Sequence, residues 1–116
     1  MAARVIRVTL PVGDLERATT FYGRLLHQPG RRVSEDAHEF SCGGVMLACR
    51  EIRGARPHAA PLYLAVPDLE NHFGRARTAG CRGIGGIETE ASGERSFLVE
   101  DPFGNLLRLV EEQPAS

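Results

Sequence analysis

Lysine is missing from this sequence: all fourteen of its basic residues are arginine, and they stand against fifteen acidic ones. With the charges so nearly balanced, no surplus of either sign draws the chain to phosphate backbones or anionic lipid, which argues against nucleic acid and membrane surfaces as partners. The exclusive use of arginine fits an arginine-biased codon usage, with selection for guanidinium chemistry as the other reading. Cysteine is scarce as well. Cys42, Cys49 and Cys81 are odd in number and form neither a CxxC pair nor a metal-type cluster. A disulfide framework or zinc ribbon is therefore disfavoured, and reduced, mostly buried thiols are expected. No stretch approaches the roughly 18 apolar residues of a membrane span, and the opening MAARVIRV has no apolar run of signal-peptide length, so a cytoplasmic location is expected.

What the chain does have is an internal repeat. Leu10, Val12, Asp14, Leu15 and Glu16 recur as Leu64, Val66, Asp68, Leu69 and Glu70, a constant offset of 54 residues. In each copy alternating apolar residues (Val8, Leu10, Val12; Leu62, Leu64, Val66) describe a strand with one face against a core. Each copy then turns into a helix. Asp14 and Asp68 stand where an N-cap accepts from the free N–H groups of the first turn and faces the positive helix end.

The apolar spacing predicts a first helix over about 14–26, with Leu15, Ala18, Phe21, Tyr22, Leu25 and Leu26 as its stripe and Gln28-Pro29-Gly30 ending it. A second is predicted over about 68–79, with Leu69, Phe73 and Ala76 inward and Gly80 as a left-handed cap. Gly74 weakens this second helix by about 1 kcal/mol relative to alanine. Three shorter stretches with strand or turn character follow each helix: 31–34, 39–41 and 45–50, then 82–88, 95–100 and 106–111. The order β-α-β-β-β thus occurs twice. The 116 residues, 42% of them hydrophobic, suffice for one core and not for two independent domains. We expect a single domain over 1–116, with module one at about 4–50, a linker at about 51–60 and module two at about 61–112. The last strands also correspond, Gly43–Cys49 lying against Gly104–Val110 at an offset of 61. Asp101-Pro102-Phe103-Gly104 reads as a type I turn, with Pro at its second position and Gly at its fourth.

Together these residues resemble a known family. Leu10-x-Val12-Gly13-Asp14-Leu15-Glu16-Arg17-Ala18-x-x-Phe21-Tyr22, the strand ending Val66-Pro67-Asp68-Leu69, and Val99-Glu100-Asp101-Pro102-Phe103-Gly104-Asn105-x-Leu107-x-Leu109 are similar to the vicinal-oxygen-chelate superfamily of glyoxalases, bleomycin-resistance proteins and dioxygenases. The resemblance covers nearly the whole chain. It implies an α+β fold of paired βαβββ modules, an eight-stranded curved sheet forming a cup, and a homodimer in which both chains build each cup.

Catalytic members of that superfamily hold a divalent metal through the first and fourth strand of each module. Carried over by the motifs, the first-strand positions fall on Arg7 and Pro61 and the fourth-strand positions on Leu47 and Arg108. Leucine and proline side chains have no donor atom, and a guanidinium stays charged at any ordinary pH and repels a cation. We therefore expect neither metal nor other cofactor. His27, His58 and His72 fall outside the expected cup, and His38 lies beside a strand that reaches its rim.

If Val8, Leu10 and Val12 face the helix, alternation turns Arg7 and Thr9 to the cup. The same count adds Leu47 and Cys49, Tyr63, and Leu106 with Arg108. This mostly apolar wall with a few polar groups suits a ligand pocket. Guanidinium groups bond carboxylates in pairs and stack on aromatic rings, so Arg7 and Arg108 are expected to clamp an anionic or planar aromatic ligand beside Tyr63. The competing structural role is pairing with an internal carboxylate such as Glu100 or Glu111. Cys49 is expected to be buried filler, since no base or helix N-terminus is in view to activate it. The function expected is metal-free sequestration of a small aromatic or anionic antibiotic or metabolite. The alternatives are an enzyme of the same fold, in which Tyr63, His38 or Glu100 moves a proton, and a degenerate interaction module.

Overall fold

Alternation along Arg7–Val12 builds the first strand, β1, with Leu10 and Val12 buried and Arg7 and Thr9 exposed. Asp14 then caps α1 (Leu15–Leu26), its carboxylate accepting from the Arg17 amide at 3.1 Å. The helix ends through His27, which adopts φ 54° and sends its amide to the Gly23 carbonyl; it is the only residue other than glycine with positive φ among the described residues. There follow β2 (Arg31–Ser34), β3 (Ala37–Cys42) and β4 (Val45–Glu51). The second half repeats the plan with β5 (Leu62–Val66) and α2 (Leu69–Thr78), where Asp68 accepts from the Asn71 amide at 3.3 Å and Gly80, at φ 96°, follows the last turn. It ends with β6 (Gly83–Ile84), β7 (Glu88–Thr89), β8 (Arg95–Glu100) and β9 (Leu106–Glu111). This computed structural model describes residues 2–58 and 60–113; Ala59 of the expected linker, Met1 and the last three residues lie outside that range.

The stretch 82–88, expected as one strand, is two short ones, β6 and β7, each pairing with β8 on either side of Gly85 and Gly86. Two side-chain-less residues in succession have nothing to pack on the pleat, so the strand breaks there. Within one chain the strands form two mixed sheets, in the orders β1-β4-β3-β2 and β5-β9-β8-β6, with β7 also on β8. The pairs β1/β4 and β5/β9 are parallel and the others antiparallel. Helix α1 lies on β3 and β4, α2 on β8 and β9, and the helices touch each other. One core therefore serves both halves: Leu10, Phe21, Leu25, Phe40 and Leu47 from the first meet Leu69, Phe97, Leu107 and Leu109 from the second. Each such side chain contributes about 1.5–3 kcal/mol by leaving water.

A buried polar joint fixes how the halves meet. The Asp101 carboxylate accepts from the Tyr22 hydroxyl at 2.6 Å, from the amides of Phe103 and Asn105 at 2.8 Å, and from Asn105 Nδ2 at 2.9 Å. Asn105 Nδ2 also donates to the Pro11 carbonyl of β1, and the Gly104 amide returns to the Asp101 carbonyl as the predicted turn requires. Among the described residues no helix is long and apolar enough to cross a membrane.

Candidate functional site

Residues paired across a ladder project to the same face of a sheet. In β1/β4, Val8 pairs with Leu47 and Leu10 with Cys49, whereas Arg7 pairs with Met46 and Thr9 with Ala48. Two expectations are corrected by this register: Leu47 and Cys49 lie on the helix-facing side, buried in the core, and not on the open face with Arg7 and Thr9. The cause is the hairpin between β3 and β4. Gly43 and Gly44, both at positive φ, close a two-residue turn between the paired Cys42 and Val45. Through Thr9–Ala48 and Tyr63–Arg108, the counterpart of Arg108 is Ala48, an offset of 60 in place of 61. Burial pushes the Cys49 thiol up to about 12, with the neighbouring Asp101 charge adding to it, so this is filler and not a nucleophile.

The helix-free face of the first sheet carries Arg7, Thr9, Arg31, Glu39, Ala48 and Arg50 around a hollow of about 400 Å³. Arg7 Nε donates to Glu39 at 2.8 Å and Arg50 meets Asp36 at 3.2 Å. On the helix-free face of the second sheet Arg108 donates to Ser96 Oγ at 3.0 Å and stands 3.6 Å from Glu88, with Tyr63 beside it in register and Leu106 along the strand. The arginines thus lie on separate sheets, each with its own acid. Those acids were missed. Glu100 is held by Arg82 at 3.3 Å and Glu111 by Arg95 at 2.9 Å. Alternation on β3 carried the signal for Glu39; Glu88 was hidden in a run that reads as one strand.

The histidines stay off these faces. His38 pairs with Cys49, on the helix side, and its Nε2 bonds the Pro29 carbonyl at 2.9 Å, so it does not reach a rim. His72 is buried, its Nδ1 bonded to the Asp68 carbonyl at 2.8 Å. A second, larger hollow of about 590 Å³ is bordered by Tyr63 and Ala65 but by neither Arg7 nor Arg108. It runs between the start of β1, the end of α1 and the outer edge of β5, lined by Val5, Val8, Leu26, Leu47, Leu62 and Leu64.

The sequence profile of the glyoxalase/bleomycin resistance protein/dioxygenase superfamily matches residues 4–109. The chain belongs to that superfamily. Among solved structures of similar fold, a glyoxalase/bleomycin resistance protein from Catenulispora acidiphila is 25% identical, with a TM-score of 0.78 over 96% of this chain and 100% of that one. A glyoxalase-related enzyme from Fulvimarina pelagi is 20% identical, with a TM-score of 0.81 over 96% and 89%. TioX from Micromonospora sp. ML1 is likewise 20% identical, with a TM-score of 0.74 over 96% and 100%. No curated protein matches the sequence. The metal that catalytic members of the glyoxalase superfamily use does not fit here. With Ala48 replacing Leu47 in the register, the four positions hold Arg7, Ala48, Pro61 and Arg108, and none offers a lone pair to a cation. Among the described residues no three His, Cys, Asp or Glu side chains come together as a metal site.

Proposed function

We propose that this chain binds a small aromatic or anionic molecule without a metal, in a cup that a second copy completes. The observation that carries the reading is the placement of Arg7 and Arg108 on the helix-free faces of their two sheets, Arg108 beside exposed Tyr63, at positions that the family resemblance assigns to metal ligands. Guanidinium groups there recognise carboxylates and planar rings. The enzymatic alternative needs a proton-transfer partner for Tyr63. Neither candidate is free for that work: His38 is turned to the helix side and Glu100 is paired with Arg82.

The homodimer is supported by two strand edges, those of β1 and β5, that pair with no other strand among the described residues. The Val66 carbonyl accepts from the Glu112 amide, so Leu62, Leu64 and Val66 turn their main-chain groups to β9, while Tyr63 and Ala65 turn theirs to the free edge. By the same alternation Arg7 and Thr9 face the free edge of β1, since the Ile6 and Val12 carbonyls are taken by Met46 and Ile52. Val5 and Ile6 at that edge are 63% and 56% exposed. An edge strand with apolar residues at its start invites another strand, and β1 of one copy on β5 of the other sets one arginine-bearing face beside the other.

Thermal-shift screening against aromatic acids, antibiotics and acyl-CoA compounds tests the reading, with mass spectrometry of each hit. A stabilising ligand recovered unchanged is expected. Turnover would move the conclusion to the enzyme, and silence across the panel would leave an interaction module.

A further inference from the structure

We infer that Arg108 alone is the anion receptor of the proposed cup, that Glu88 occupies it as a displaceable placeholder, and that the ligand is a flat aromatic monocarboxylate with its ring on Tyr63. The inference rests on the reading of the cup as a small-molecule site.

The two arginines are not equivalent. Arg7 Nε lies 2.8 Å from the carboxylate of Glu39, which is only 12% exposed. Arg7 itself is 49% exposed, but a ligand that drew it away would take the cation from a carboxylate that is mostly covered. Arg7 is therefore committed to the fold. Arg108 is held from the other side by the buried hydroxyl of Ser96, a neutral partner that fixes its direction and leaves its charge unsatisfied. The acid nearest to it, Glu88, stands at 3.6 Å, beyond hydrogen-bond distance. Glu88 is 69% exposed and sits on a two-residue strand after a pair of glycines. A long, exposed pair of this kind contributes little, and Glu88 returns to water at small cost when another carboxylate arrives.

The surroundings define the rest of the ligand. Tyr63 is paired with Arg108 across β5/β9, on the same face, and is 62% exposed. Its ring has no aromatic partner among the described residues. Leu98 is paired with Arg108 on the other side and Leu106 lies two residues along, giving an apolar floor. A carboxylate forked on the guanidinium thus places an attached ring against Tyr63 and the leucines.

Calorimetric titration of the wild-type protein and three variants with 1-naphthoate, and with its uncharged amide as control, tests this. Glu88→Gln is expected to tighten naphthoate several-fold and leave the amide unchanged, because only the anion competes with Glu88. Arg108→Gln is expected to weaken naphthoate by about tenfold or more, the loss of a charge-assisted bond. Glu39→Gln should change naphthoate affinity less than Arg108→Gln does. The wild-type preference for naphthoate should fall as salt rises. Equal affinity for acid and amide, no gain in Glu88→Gln, or no binding of naphthoate at all would overturn the inference. If uncharged compounds from the screen still bind, and bind Arg108→Gln as well as wild type, this inference fails while the small-molecule cup stands. Turnover of naphthoate with the expected variant pattern would uphold the receptor and defeat the sequestration reading.

Discussion

The hydroxyl of Tyr22 donates to Oδ2 of Asp101 at 2.6 Å across 79 positions of sequence, inside a core where both residues are inaccessible to water. One comes from the helix of the first half and the other from the turn before β9, so the bond ties the halves as well as satisfying two polar groups. Tyr22→Phe leaves Asp101 with its amide donors and is expected to cost about 1–3 kcal/mol. Asp101→Ala orphans the Tyr22 hydroxyl and two amides at once and is expected to cost more than Tyr22→Phe. Urea unfolding of both variants checks the order; equal losses would deny the carboxylate its role as the hub.

The same joint, with Cys49 beside it, makes stability depend on pH in the alkaline range. Burial first, and the Asp101 charge second, push the Tyr22 phenol well above its ordinary 10.0, and burial carries the Cys49 thiol from 9.0 to about 12. The folded state keeps protons that the unfolded chain releases. Their contribution is therefore whole below about pH 9 and is lost as pH rises toward 12. The urea midpoint is expected to fall across that window, with a shallower fall in Tyr22→Phe. A midpoint independent of pH from 9 to 11 would contradict this.

Cys49 should also resist labelling. It is fully buried among Leu10, Tyr22 and Leu47, whereas Cys42 and Cys81 are half-buried. Titration with a chromophoric disulfide reagent at pH 8 is expected to modify Cys42 and Cys81 in the native protein and Cys49 only after denaturant is added. Peptide mapping of the modified sites reads this directly, and fast labelling of Cys49 in the native state would show that the core opens.

The repeat of Leu10, Val12, Asp14, Leu15 and Glu16 carried most of the fold, because a strand period followed by a capped helix is a local signal and was written twice. The site was less legible. Thr9 and Tyr63 took the expected side because each lies in a run whose alternation starts from the repeat itself, and Arg108 did because it pairs with Tyr63. Leu47 and Cys49 did not, because their side was counted from an alignment across Gly43 and Gly44. One residue of slip reverses every side chain on a strand. The partner Glu88 depends on β7, a two-residue strand whose pairing is settled by tertiary contacts and not by its own pattern, whereas Glu39 could have been read from the alternation of β3.

Two glycines respond in opposite directions to alanine. Gly74 lies in the interior of α2, and a Cβ built there meets nothing within 4 Å. Gly74→Ala is expected to stabilise by about 0.5–1 kcal/mol by removing backbone freedom from the unfolded chain. Gly30 has φ 63°, and its Cβ would lie 2.6 Å from the Glu39 carbonyl oxygen and 2.7 Å from the Phe40 ring. Gly30→Ala should therefore destabilise, moving β2 away from β3. Thermal unfolding of the two variants side by side is the check, and a loss on Gly74→Ala would mean that α2 is held by something its contacts do not show.

The β1 edge separates the requirements of the single chain from those of the assembly. Val5 and Ile6 are largely exposed in one copy. Aspartate at both positions therefore costs the chain's own core little, since surface changes away from special features stay within about 0.5 kcal/mol. In the proposed dimer the same two positions sit against β5 of the partner, where two buried, unpaired carboxylates are strongly unfavourable. The double variant Val5→Asp, Ile6→Asp is expected to sediment as a monomer at concentrations where the wild type is a dimer, with nearly unchanged circular dichroism. It should also lose affinity for any ligand whose pocket needs both copies. A monomeric variant that binds as tightly as the wild type would place the whole site on one chain, and a variant that stays dimeric would move the interface away from this edge.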